Sequence, residues 1–415
     1  MFSSEIIRKS DVMGYGLIGE NLSYSFSKLI HEKLGDYPYE LFGFNSDQFA
    51  AYMAGGHFDG LNITVPYKKA VMPFCDEISE IAKEIGAVNT VYQKDGKRFG
   101  TNTDYDGFVY MAQRCGISFK GKKVLILGAG GTSLTVQKCV RDGGAREISV
   151  AYRNHNFEAD HDAEIIVNTT PVGTFPNNGE KIIDLAQFPT CEGVLDVVYN
   201  PLRTDLLLRA KEKNIPHSDG LPMLVAQATA AATLFTGKDY GHRNEEIIEW
   251  LLSSIQNIVL IGMPGSGKST VGKYLAEKMG RTFIDLDEAI VQAASLSIPD
   301  IFSKYGEPVF RDMETAAAKE YGKQKGLVIA TGGGVVLKKE NMDALMQNGV
   351  LFFLNREISK LATDGRPLST GIEALQKMDQ ERRPLYETYG DYVIDVSEDV
   401  AETGNKIEKI IRERK

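Results

Sequence analysis

Short apolar runs recur along the chain, each broken by glycine or polar residues and followed by apolar positions at helical spacing. Tyr15-Gly16-Leu17-Ile18-Gly19 is the first such run, and the segment Lys28 to Lys33 after it reads as a helix. Lys123-Val124-Leu125-Ile126-Leu127 and Ile148-Ser149-Val150-Ala151-Tyr152 read as strands, with another strand from Ile165. Ile258-Val259-Leu260-Ile261 is a run fit for a buried strand, and Val271, Leu275, Ala276 and Met279 then recur at helical spacing. Phe283-Ile284-Asp285-Leu286-Asp287 reads as a strand carrying two acids, and Val328-Ile329-Ala330 as a strand ending in glycines. Arg243 to Ser254 puts Ile247, Ile248, Leu251 and Leu252 on one helical side. Strand and helix alternate throughout, which predicts α/β layers with parallel sheets.

The break after Ile261 has a chemistry of its own. Gly262-Met263-Pro264-Gly265-Ser266-Gly267-Lys268-Ser269-Thr270 fits the phosphate-binding loop pattern, between a predicted strand and a predicted helix. Glycines let the backbone curl so that N–H groups face phosphate oxygens, and the helix N-terminus adds partial positive charge. Gly265, Ser266, Gly267, Lys268, Ser269 and Thr270 are therefore the expected ATP contacts, with Lys268 on the outer phosphates. The Ser269 hydroxyl is placed to hold Mg²⁺.

Composition narrows the picture. The 415 residues predict two to three domains. The net charge of −9 gives no electrostatic footprint for nucleic acid, so anionic small molecules must be met by local Lys and Arg. Four scattered cysteines have no metal-like spacing and read as reduced thiols. No signal-peptide stretch opens the chain, and Leu224 to Phe235, the longest apolar region, is too short to span a bilayer. The expectation is a cytoplasmic protein with neither a membrane nor a nucleic-acid partner, its oligomeric state open.

The first half carries polar motifs between its strands. Ser23, Ser25 and Ser27 recur at period two; extended, they would face one side, while an ordinary hydroxyl-rich turn before the helix gives the same residues. Asn62-Ile63-Thr64-Val65-Pro66-Tyr67-Lys68 places Lys68 just beyond a strand. Gly86-Ala87-Val88-Asn89-Thr90 and Gly100-Thr101-Asn102-Thr103-Asp104 are polar loops. After Leu127, Gly128-Ala129-Gly130-Gly131-Thr132 is a glycine loop with Ser133 at the third glycine position. Alone it equals a tight turn; between strand and helix it points to a dinucleotide pyrophosphate. Arg153 follows the second strand, where arginine suits the 2′-phosphate of NADP(H). Only ten residues, Asn154 to Ala163, then precede the next strand, whereas a parallel crossover takes about a dozen or more. They read as an irregular connection, its two histidines and three acids forming a polar loop.

These motifs resemble shikimate dehydrogenase over residues 14 to 250, with Asn21, Tyr24 and Lys28 standing for the family's Pro, His and Pro. The resemblance implies that Ser25, Ser27, Thr64, Asn89 and Asp104 contact shikimate and that Lys68 and Asp104 are the catalytic pair. It extends through Asn168 to Gly173, Asp196 to Pro201 and Asp219 to Ala228, implying that Tyr199 and Gln227 touch substrate and Gly220 lies near the nicotinamide.

Beyond the phosphate loop, Asp285 and Asp287 read either as a plain strand terminus or as a Mg²⁺ contact and an acceptor-hydroxyl contact. Phe310-Arg311-x-x-Glu314, Gly332-Gly333-Gly334, Arg366-Pro367-Leu368 and Arg382-x-Pro384-Leu385-Tyr386 follow. With the loop, this ordered set resembles shikimate kinase over residues 257 to 415. The resemblance implies that Asp287, Arg311, Gly333 and Arg382 hold shikimate, that Glu314 braces a guanidinium, and that Arg366 belongs to a lid and reaches the transferring phosphoryl.

The expected architecture is a shikimate dehydrogenase-like part at 1–256, with a substrate domain at about 1–112 and 223–256 and a shortened Rossmann domain at about 113–222. A P-loop kinase domain follows at 257–415. The expected function is reduction of 3-dehydroshikimate with NADPH, then phosphorylation of shikimate by Mg·ATP. A quinate-type dehydrogenase or a silent shikimate-binding module remains open for the first half, and another polyol acid for the kinase.

Overall fold

Tyr15–Gly19 forms β1 of a six-stranded sheet with β2 (Tyr39–Gly43), β3 (Gly60–Ile63), β4 (Glu77–Ile78), β5 (Thr90–Lys94) and β6 (Lys97–Thr101). The structure, a computed structural model, describes residues 14–22, 25–35, 37–55, 57–152, 155–361 and 372–413. The sheet order is β2-β1-β3-β5-β6-β4; β1 lies parallel to β2 and β3, and β5 antiparallel to β3 and β6. Ile18, Leu61, Ile63, Val88 and Val91 bury one core of this sheet. The helix Asp104–Arg114 packs on the helix Leu221–Thr236 through Gly107, where an added Cβ would lie 2.6 Å from Met223 O.

The second sheet is all parallel: β7 (Lys123–Leu127), β8 (Glu147–Ala151), β9 (Ile165–Asn168), β10 (Gly193–Asp196) and β11 (His217–Ser218), in the order β11-β10-β9-β7-β8. Val124, Leu125 and Ile126 are fully buried, as a strand covered on both faces requires. Strand β8 ends at Ala151, earlier than the sequence pattern implies, so the connection to β9 is thirteen residues long, 152–164. That length meets the requirement of a parallel crossover without a helix. Among its described residues the connection holds one 3₁₀ turn, Phe157–Asp160. It is pinned by Lys123, whose buried ammonium meets Ala159 O at 2.6 Å, Asp162 at 2.8 Å and Glu147 at 3.2 Å. His155 pairs with Asp160 at 2.7 Å.

The third sheet is also all parallel: β12 (Asn257–Ile261), β13 (Phe283–Asp285), β14 (Val328–Ala330), β15 (Gly349–Asn355) and β16 (Tyr392–Asp395), in the order β13-β14-β12-β15-β16. Ile258 to Ile261 are fully buried at its centre. The expected strand over Phe283 to Asp287 is shorter than its pattern. Asp285 ends it by accepting hydrogen bonds from the N–H groups of Asp287 and Glu288, capping the helix Leu286–Ala294. Asp287 thus stands in the first turn of a helix.

The chain divides into two compact units: Met1–Pro171 with Ile183–Tyr199 and Arg209–Ile248, and Val172–Ile182 with Asn200–Leu208 and Glu249–Lys415. The second unit therefore includes residues 172–182 and 200–208, and its last segment begins at Glu249. Within it, Arg203 Nη1 donates to Met346 O at 2.7 Å and to Gly349 O at 2.9 Å, and Leu208 is buried in the core with Val259, Ile261 and Leu345. All four cysteines are unpaired. Among the described residues no helix is long and apolar enough to cross a membrane.

Candidate active sites

In the first unit, parallel strands β1 and β3 end beside one cavity of about 350 Å³. The turn after β3 starts at Thr64, whose N–H donates to Ile18 O at 2.8 Å. A Cβ on Gly19 would lie 2.5 Å from Thr64 Cγ2, so glycine is what lets the two loops close. Lys68 follows this turn, and Asp104 opens the helix Asp104–Arg114. Their side chains meet at 2.5 Å and are 15 % and 10 % exposed, a nearly dry ion pair facing the cavity.

Ser25, Ser27, Thr64 and Asn89 line this cavity, together with Tyr199 and Gln227. Ser25 N–H donates to Leu22 O, and Ser27 already begins the helix Ser27–Leu34. The two hydroxyls still meet, at 3.1 Å, because Ser25 Oγ also accepts the Ser27 N–H. Ser23 and Tyr24 lie outside the described residues.

The two Asn-Thr motifs lock each other in place. Asn89 Oδ1 accepts from Thr103 N–H at 2.7 Å and from Thr90 Oγ1 at 3.0 Å, while Asn89 Nδ2 donates to Thr103 Oγ1. Asn102 Nδ2 donates to Ala87 O. This lacing fixes the backbone that carries Asp104. Asn62 also lines the cavity, held by Tyr39 at 2.7 Å; its signal, a buried amide in a strand, is not distinctive in sequence. Burial raises the Tyr199 phenol above its ordinary pKa.

The glycine loop after β7 opens toward solvent. Gly128 has φ +107° and would clash with Thr169 as any other residue, whereas nothing lies within 4 Å of an added Cβ at Gly130 or Gly131. Ala129 is exposed. The helix Gly131–Asp142 starts with no side-chain cap, leaving its first N–H groups for an anion. Ser133 fits the third glycine position by full burial, its hydroxyl bonded to Gln137 at 3.1 Å. Thr132 and Gly220 line the same cavity as Lys68. Arg153 lies outside the described residues.

In the second unit the loop after β12 borders a cavity of about 490 Å³. Gly262, Gly265 and Gly267 have φ of +145°, +82° and +96°, the left-handed turns that curl the loop. Lys268 Nζ donates to Gly262 O and Met263 O at 2.9 Å. Ser269 Oγ meets Asp285 Oδ2 at 2.6 Å, two hard oxygen donors side by side. Gly265, Gly267 and Thr270 line the cavity, while the Ser266 side chain is fully buried.

The same cavity is lined by Asp287, Arg311, Gly333 and Arg382. Arg311 pairs with Glu314 at 3.0 Å. The Glu314 side chain is 1 % exposed, and burial raises its pKa against the opposing pull of Arg311. Arg382 Nη1 donates to Gly333 O at 3.0 Å, and its Nε is buried without a partner among the described residues. The glycines allow this crowding: an added Cβ would come within 2.7 Å of Asp287 at Gly332 and 2.6 Å of Pro264 at Gly333. Arg366 lies outside the described residues. Arg356, just after β15, lines this cavity too and was not expected from the sequence; a cation two positions after the apolar run 350–354 was its one signal.

Comparison with known proteins finds a separate likeness for each half of the chain. A family model described as shikimate dehydrogenase substrate binding domain matches residues 17–91, and one described as shikimate kinase matches 264–413. The chain is similar to a shikimate dehydrogenase (NADP(+)) of Clostridium perfringens, 36 % identical over 260 residues that cover 56 % of this chain and 96 % of that protein. Among solved structures it resembles a chorismate mutase/shikimate 5-dehydrogenase fusion protein from Clostridium acetobutylicum, with TM-score 0.55 and 34 % identity over 58 % of this chain and 97 % of that one. It also resembles shikimate 5-dehydrogenase from Thermus thermophilus, solved in complex with NADP(H) and shikimate, with TM-score 0.53 and 31 % identity over 57 % and 99 %. The chain therefore belongs to the shikimate dehydrogenase family through its N-terminal part and carries a shikimate kinase domain in its C-terminal part, a bifunctional shikimate-pathway enzyme.

Proposed function

We propose that the first unit reduces 3-dehydroshikimate to shikimate with NADPH, and that the second phosphorylates shikimate with ATP to shikimate 3-phosphate. The observation that supports this reading is that Lys68, Asp104 and Gln227 line one cavity of the first unit, and Lys268, Asp287, Arg311 and Arg382 one cavity of the second. NADPH and ATP as co-substrates fit a cytoplasmic protein acting on small molecules.

In the first cavity NADPH, when bound, supplies the hydride to the substrate carbonyl carbon. Lys68 gives a proton to the carbonyl oxygen, and Asp104 holds the ammonium in place. Ser25, Ser27, Thr64, Asn89, Tyr199 and Gln227 hold the substrate hydroxyls and carboxylate. The uncapped helix at Gly131 receives pyrophosphate, and Arg153 the 2′-phosphate.

In the second cavity Mg·ATP, when bound, supplies the γ-phosphoryl group. Asp287 orients the acceptor hydroxyl, and Arg311 and Arg382 bond the substrate carboxylate with planar forks. Ser269 and Asp285 hold Mg²⁺ through oxygen, the donor type that ion takes. Lys268 and Arg366 stabilise charge on the transferring group. Separate assays of NADPH oxidation with 3-dehydroshikimate or 3-dehydroquinate, and of ATP use with shikimate or quinate, test both halves. Preference for the quinate-type substrate would replace the reading of that half.

A further inference from the structure

We propose that Arg356 is a nucleotide-binding residue of the second unit, gripping the phosphates of ATP and ADP from the side opposite Lys268. The proposal rests on the reading of this unit as an ATP-dependent kinase and names a contact outside the motif set.

Topology puts Arg356 there. Strands β12 and β15 are parallel neighbours with Ile261 paired to Phe353, so both chains leave the sheet at the same edge. The phosphate loop leaves β12 at Gly262, and Arg356 follows Asn355, the last residue of β15. The Arg356 Nη1 lies 3.8 Å from where a Cβ on Gly267 would stand. Gly267 is the residue whose left-handed turn hands the loop to the helix Lys268–Met279.

The guanidinium is also uncommitted. Arg356 is half-buried and makes no hydrogen bond or ion pair among the described residues. Its neighbour Arg383 is spent: Asp379 holds it through two bonds of 2.8 and 3.1 Å, and Asn355 through a third of 3.0 Å. Lys268 meets two loop carbonyls. Arg356 borders both the phosphate-loop cavity and an adjoining cavity of about 430 Å³ lined by Asn355, Lys360, Arg383 and Asp395. A cation at that border faces whatever polyanion runs from the loop toward the second cavity, and guanidinium bonds phosphate oxygens as a fork.

Calorimetric titration of the full chain with Mg·ADP tests the idea, comparing wild type with Arg356→Ala and Arg356→Lys. The expected result is affinity about 10- to 100-fold weaker in Arg356→Ala, with Arg356→Lys between the two. Shikimate affinity and NADPH oxidation should be unchanged, which separates loss of a phosphate contact from general damage. If Arg356→Ala fails to fold, Arg356→Gln keeps the stem and removes the charge. Wild-type ADP affinity in the neutral variant, or an equal loss of shikimate affinity, overturns the proposal. Failure of the wild type itself to bind ADP would instead overturn the kinase reading beneath it.

Discussion

The Lys68 ammonium and the Asp104 carboxylate meet at 2.5 Å although 36 residues separate them, and the lacing of Asn89 to Thr103 fixes the backbone that brings Asp104 to the cavity. An ion pair in water contributes little. This one is almost dry and borders a cavity, so its value is a proton donor held at one place.

Lys68→Ala should cut dehydrogenase turnover by about 10²- to 10⁴-fold, the usual worth of one positioned proton-transfer group. Kinase turnover should stay near wild type. Steady-state NADPH oxidation and ADP release, measured on the same preparation, check both. Near-normal NADPH oxidation would remove Lys68 from the chemistry.

Lys268→Ala should do the reverse, abolishing ADP release while NADPH oxidation persists. Lys268 opens the helix behind the phosphate loop, in a different unit from Lys68. Loss of both activities in a folded variant would contradict two separate sites.

Much of this was legible in sequence for a physical reason. Val124 to Ile126 and Ile258 to Ile261 are unbroken apolar runs because both faces of a parallel sheet are covered, and the motifs that follow them stand where loops must. The misreadings have reasons as well. Asp287 looked like strand because Asp285 reads as one more residue of the run, whereas its carboxylate caps a helix. Ser25 stayed open between strand and turn because period-two hydroxyls fit both; its hydroxyl meets that of Ser27 at the start of a helix. Arg203 and Leu208 gave no signal at all, since their partners lie some 140 residues downstream or in another strand run.

That last relationship carries a prediction. Arg203→Ala removes two charged hydrogen bonds to Met346 O and Gly349 O and should destabilise the second unit by about 1.5–3 kcal/mol. A piece cut at residue 257 also loses Leu208 from its core and should unfold at still lower denaturant. Denaturant unfolding read through kinase activity measures both. A change below about 0.5 kcal/mol in Arg203→Ala, the ordinary surface range, would refute the claim.

His31 makes the first unit acid-sensitive. It is fully buried, with Nδ1 2.6 Å from Tyr37 Oη and its ring stacked 3.8 Å from Tyr39. Burial lowers its pKa to about 3 from 6.5. Between those values the unfolded imidazole holds a proton and the folded one does not, so this residue makes stability fall as pH falls, by about 1.4 kcal/mol per pH unit. From pH 6 to 4.5, wild type should lose about 2 kcal/mol more than His31→Gln. Equal losses in denaturant titrations at the two pH values would show that His31 is not the cause.

Cofactor choice tests the proposed role of Arg153. Wild type should prefer NADPH to NADH, and Arg153→Ala should erode that preference through a higher KM for NADPH. An unchanged preference in Arg153→Ala would mean that another residue reads the 2′-phosphate.

The most direct test of the whole account is one reaction with purified full-length protein, 3-dehydroshikimate, NADPH and Mg·ATP, followed by quantifying shikimate 3-phosphate. The account predicts that NADPH loss and ADP gain both occur, and that the phosphorylated product appears only when both co-substrates are present. Phosphorylated product from added shikimate, but no NADPH loss with 3-dehydroshikimate, would contradict it by reducing the first unit to a binding module.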